Sequence, residues 1–164
     1  MLGLITAIVV YPFLHESGHS VATMLFGGKV IEFHLLPLPN VLCDIYSISS
    51  VGIVIIGVSG MLFPLLIALP LSKKRFALWY MSEVIIGISV YAFFISAIAL
   101  VLARFGILMP NEDVIKVIQT MPESKLFVFL AAVAFMGLAL WAFVKNKPVK
   151  RMIEYLEIEN PRIA

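Results

Sequence analysis

Four long apolar stretches restrict what this chain can fold into. Residues 2–26, 48–71, 76–103 and 126–144 carry no Lys, Arg or Asp, and Glu16 and Glu83 are their only glutamates. A bilayer core of about 30 Å takes roughly 20 helical residues, so stretches of this length and purity predict transmembrane helices. Composition agrees: of 164 residues 62% are hydrophobic and 13% charged, and the mean hydropathy is +1.05. A soluble domain of this size has no use for so much apolar surface. The expected fold is therefore an all-α integral membrane protein with about four transmembrane helices. Residues 1–145 form the membrane domain and 146–164 a basic juxtamembrane tail. The first stretch lacks a positive n-region, so it reads as a retained helix and not as a signal peptide. Gly27 and Gly28 are expected to stop it.

Residues 29–46 break the helical pattern. Val30 to Leu35 alternates, Pro37-Leu38-Pro39-Asn40 supplies a turn, and 41–46 is again extended in character. This predicts a short β-hairpin at the membrane surface. Within it, His34 and Asp44 read as solvated polar positions. The single cysteine, Cys43, excludes an intrachain disulfide and reads as packing. Gly52, Gly57 and Gly60 in the second span allow close helix approach, and Ser82, Ser89 and Ser96 form a small-residue stripe on the third. Pro110-Asn111-Glu112-Asp113 reads as the start of an amphipathic helix closed by Pro122. The net charge of +2 has no basic aromatic patch behind it, and no glycine-rich phosphate loop is present. Nucleic acid and nucleotide are therefore not expected partners.

Chemistry enters at His15-Glu16-Ser17-Gly18-His19. On a helix, positions i and i+4 differ by roughly 40° around the axis and about 6 Å along it, so both imidazoles can reach one ion. This is the His-Glu-x-x-His arrangement of zinc hydrolases: the histidines ligate and the glutamate acts as base on water. Ionisable groups inside a membrane-length apolar run are costly, which weighs against chance occurrence. Pro12 removes one backbone hydrogen bond just before the motif, giving either a widened turn or an ordinary membrane proline.

Basic loops stay in the cytoplasm. Residues 73–75 and 145–151 are the two Lys/Arg clusters, and four spans put both on one side, with both termini cytoplasmic. The hairpin and Asp113 then share the opposite side with the half of the first helix that carries His15 and His19. On that ground Asp113 is the expected third ligand, with Glu83 its rival and Glu112 or Asn111 as substitutes.

With these residues in hand, the chain resembles the site-2 protease family of intramembrane zinc metalloproteases. The resemblance rests on His15-Glu16-Ser17-Gly18-His19, on Gly27-Gly28 with a strand-like segment after it, and on Gly57-Val58-Ser59-Gly60. The family draws a third ligand from an aspartate commonly followed by glycine; Asp113 is followed by Val114. The resemblance implies a Zn2+ metallopeptidase with Glu16 as catalytic base, cutting membrane-protein or peptide substrates in or near transmembrane segments. The 30–35 strand would hold the unwound peptide or serve as a plain connection. Two alternatives stand beside it: a catalytically inactive metal-binding relative, and a small membrane metal transporter.

Overall fold

The structure, a computed structural model, describes residues 1–35, 37, 39–71, 75–110 and 112–159. Leu38 of the predicted turn, Lys73 and Lys74 of the first basic cluster, Asn111, and the tail from 160 lie outside the described residues.

The chain is mostly helical, with one two-stranded sheet. It opens with helix α1 (Leu2–Ile5), passes through a π-helical turn (Thr6–Val10), and continues as α2 (Tyr11–Leu25). The widened turn sits where Pro12 has no N–H to offer the preceding turn, and it hands the chain over to the motif-bearing segment. Gly27 ends α2 at φ +84°, and its N–H and that of Gly28 bond back to Met24 and Thr23. That pair of bonds is a Schellman stop. The same device ends α4, where Gly106 has φ +81° and the N–H groups of Gly106 and Ile107 reach Ala103 and Leu102. Both irregular stretches of the chain thus leave a helix through a left-handed glycine.

Strands β1 (Lys29–His34) and β2 (Asn40–Asp44) form the predicted hairpin, antiparallel with a bulge between Val30 and Glu32. Helix α3 (Ser50–Ala68) follows, its first turn capped by the Ser49 hydroxyl, which accepts from the Gly52 N–H. Then come α4 (Phe76–Arg104), the short α5 (Asp113–Thr120), a 3₁₀ turn (Pro122–Ser124), α6 (Lys125–Asn146) and α7 (Pro148–Glu159).

Among the described residues, three helical stretches are long and apolar enough to cross a membrane: Ser50–Ala68, Phe76–Arg104 and Pro122–Glu157. The first helical stretch is divided by its π-helical turn into shorter pieces. Outward-facing apolar side chains such as Leu126, Phe127, Leu130, Trp141 and Val144 are more than half exposed on α6, an apolar surface that water does not favour.

The helices run in alternating directions. The Ser82 hydroxyl donates to the Ala68 carbonyl, which sets the start of α4 against the end of α3. Asn146 donates to Glu83 at 2.5 Å, which sets the end of α6 beside them. The serine stripe is fully buried: Ser96 reaches both Met61 on α3 and Glu112 before α5, while Ser89 bonds back to Ile85 in its own helix. Trp79 is 3% exposed, packed against Phe76 and lying under the Arg151 guanidinium. Tyr155 of α7 stacks on Phe76 with 3.7 Å between ring centroids, so the basic tail folds back onto the bundle.

Helix α5 has the greatest consequence for function. Val114, Ile115, Val117 and Ile118 are all buried in the main core with residues of α3 and α4. An eight-residue helix cannot cross a membrane; this one dips its apolar face into the bundle and presents Asp113 from its first turn.

Candidate metal centre

Helix α2 places His15 and His19 one turn apart, and α5 brings Asp113 to them from the far side of the sequence. Asp113 Oδ2 lies 3.1 Å from His15 Nε2 and 3.2 Å from His19 Nε2, and the two imidazole nitrogens are 3.2 Å apart. These three side chains form the one group of metal-capable donors found among the described residues.

The donor chemistry calls for a cation. The His19 Nδ1–H donates to the Ile56 carbonyl at 2.7 Å, so neutral His19 turns the lone pair of Nε2 toward Asp113 and His15. A backbone acceptor on the far nitrogen is the usual support of a metal-ligating histidine. The Lys116 ammonium on Asp113 Oδ1 favours the ionised carboxylate that a ligand must be. Three acceptors at this spacing repel unless a proton or an ion sits among them. Ligand atoms of a tetrahedral site with bonds of about 2.0–2.1 Å stand roughly 3.3 Å apart. The observed triangle fits that requirement.

Two glycines of α3 make the approach possible. A Cβ on Gly60 would meet the Nε2 atoms of both histidines, and one on Gly57 would collide with Val117 of α5. Gly18 of α2 does the same service for the Ser59 carbonyl. The sequence marks these glycines only as close-packing positions; the structure shows that Gly60 is the floor of the site. Gly60→Ala is expected to displace the imidazoles and weaken metal binding by about 10–100-fold, the range for lost support around a ligand. Gly137→Ala, where nothing lies within 4 Å, should bind as wild type. Metal titration of the two variants checks this, and equal affinity would remove Gly60 from the site.

Glu16 is half-buried and lines a cleft of about 360 Å³ together with His19, Asp113 and Lys116. The hairpin reaches this cleft through Asn40, Val41 and Cys43 of β2, whereas no β1 residue lines it. The 30–35 strand is therefore not the one that faces the site. Lys116 was not foreseen: its ammonium donates to Asp113 Oδ1 at 3.1 Å, leaving Oδ2 for the histidines. The i,i+3 spacing of Asp113 and Lys116 was the available signal.

The other candidates lie elsewhere. Glu83 is buried at the opposite end of α4 with Asn146 and is outside the donor group. Glu112 accepts from Ser96. His34 pairs with Glu32 on the exposed face of β1, and Asp44 accepts from the Tyr46 N–H. Comparison of the chain with protein-family models, curated proteins and solved structures finds no match.

Proposed function

We propose that the protein is an intramembrane zinc metallopeptidase of the site-2 protease type, hydrolysing peptide bonds in or near transmembrane segments. The observation that carries this reading is the convergence of His15, His19 and Asp113 from α2 and α5, with Glu16 lining the same cleft. A divalent ion there would supply Lewis acidity to the scissile carbonyl and acidify water. The side chains do the rest. His15 and His19 would hold the ion through Nε2, with His19 oriented by the Ile56 carbonyl, and Asp113 through Oδ2. Glu16 takes a proton from the attacking water and passes it to the leaving amine. A helical substrate hides its carbonyls in its own hydrogen bonds and must unwind locally. The cleft-lining side of β2 is suited to holding the unwound stretch by strand pairing.

In this reading the stretch from Leu2 to Leu25, two α-helical pieces joined by the π-helical turn, is a fourth span beside the three long helices. Lys145, Lys147, Lys150 and Arg151 share one end of the bundle with Arg75, so in this reading both termini are cytoplasmic and the cleft opens to the other side. A reporter fused after Ala164 should stay inside the cell. Finding it outside would reverse the orientation and leave the span count intact.

Metal analysis of purified protein tests the core of the proposal. About one zinc per chain is expected, as for a two-His-one-carboxylate site, and near none in His19→Ala. Equal, near-zero zinc in both would refute the metal site. Bound zinc without cleavage of any transmembrane peptide would leave the catalytically inactive relative, and metal uptake into proteoliposomes would select the transporter.

A further inference from the structure

A second cavity lies away from the metal centre, where the end of α4 meets the start of α6. It measures about 520 Å³, a volume typical of small-molecule sites. Its walls are apolar, from Leu100, Val101, Leu126 and Phe129, and two cations, Arg104 and Lys125, line it. No acidic residue lines it, and neither cation has an ion-pair partner among the described residues. Val101 and Leu126 are 47% and 69% exposed, so the groove opens sideways from the bundle, on the surface a bilayer would cover.

A groove with an apolar floor and two unpaired cations at its rim complements one kind of neighbour in a membrane, an anionic amphiphile. Free phosphate would use the cations and leave the walls bare. A zwitterionic lipid would bring its own ammonium against Arg104 and Lys125. The position adds a consequence. Arg104 ends α4 and Lys125 begins α6, so these two residues are the anchors of the 105–124 segment that carries Asp113.

We propose that this groove binds an anionic phospholipid, its headgroup phosphate between Arg104 and Lys125 and an acyl chain along Val101, Leu126 and Phe129. The bound lipid ties together the two ends of the segment that delivers Asp113. This site lies at the end of the bundle opposite the Lys145–Arg151 cluster, so general attraction of that cluster to anionic lipid does not account for it. The proposal stands whether or not the metal centre is catalytic.

Native mass spectrometry of the full-length protein in detergent, titrated with phosphatidylglycerol and phosphatidylcholine of matched chains, tests it. A surface cation is worth roughly fivefold in anionic-lipid affinity, so two predict a preference for phosphatidylglycerol of about 30-fold. Arg104→Gln/Lys125→Gln should bring the two lipids to parity, with circular dichroism and the thermal unfolding temperature as the check on folding. Lys147→Gln/Lys150→Gln at the other end should keep the preference. Val101→Trp, which fills the groove and spares both cations, should weaken both lipids. Millimolar inorganic phosphate should leave the bound lipid in place. Equal binding of the two lipids by wild type, a preference that survives in the double variant, unchanged binding by Val101→Trp, or displacement by phosphate would each overturn the assignment.

Discussion

Glu16→Gln should retain zinc and lose turnover by about 10²–10⁴-fold, the range that a positioned general base contributes. The expectation follows from where the residue sits. Glu16 lies roughly 100° around the helix from His15, so it is close to the ligands without pointing as they do. It lines the cleft beside His19 and Asp113 but is not one of the three converging donors. Glutamine keeps the size and the polar contacts of the side chain and removes only its ability to accept a proton. Zinc stoichiometry and kcat on a transmembrane peptide, measured side by side, separate the two roles. Loss of zinc would make Glu16 a ligand, and cleavage at the wild-type rate would deprive the peptidase reading of its base.

The parts of the fold that were legible are those set by solvent. A span must be apolar and must bond its own backbone, so hydropathy delimits it well. The stretch expected at 76–103 is α4, Phe76–Arg104, and the one expected at 126–144 is α6, Lys125–Asn146. The hairpin was legible from alternation and turn residues, to within a residue or two of β1 and β2. Periodicity fails where the question is what covers an apolar face. Residues 114–121 showed such a face, which suits a helix on the membrane surface as well as one buried in the bundle. Only the packed structure shows Val114 and Ile115 fully buried.

The site divides along the same line. His15 and His19 are local, since one helix turn fixes their spacing, and the motif alone brings them together. Asp113 is not local; its arrival depends on α5 entering the bundle through the space that Gly57 leaves. The expected topology set Asp113 on the same side as His15 and His19, and the structure brings the three together. The Ile56 carbonyl, which orients His19, carries no motif at all, and Lys116 is marked only by its i,i+3 spacing from Asp113. The Ile56 contact is made by tertiary packing, and a main-chain acceptor leaves no mark in side-chain pattern.

Asp113→Ala should lower zinc affinity by more than about 100-fold, beyond the 10–100-fold typical of supporting contacts, while Glu83→Gln should leave it unchanged. Glu83 looked competitive because a carboxylate inside a span is expensive and must be held by something. The structure supplies that partner: Asn146 donates to Glu83 Oε1, joining the start of α4 to the end of α6. Its cost is met by packing helices together, and metal binding need not explain it. Glu83→Gln preserves an acceptor for Asn146, whereas Glu83→Ala removes that acceptor from a half-buried amide and should cost about 1 kcal/mol of stability. Asp113 has the opposite profile. Both its oxygens face charge or ligand partners, Oδ2 toward the imidazoles and Oδ1 toward Lys116. Its removal should therefore strike metal affinity before stability. Zinc titration and thermal unfolding of the three variants separate these effects. Zinc lost only in the Glu83 variants, with unfolding temperatures unchanged, would demand a different packing of α2 against α4 and would remove Asp113 from the centre.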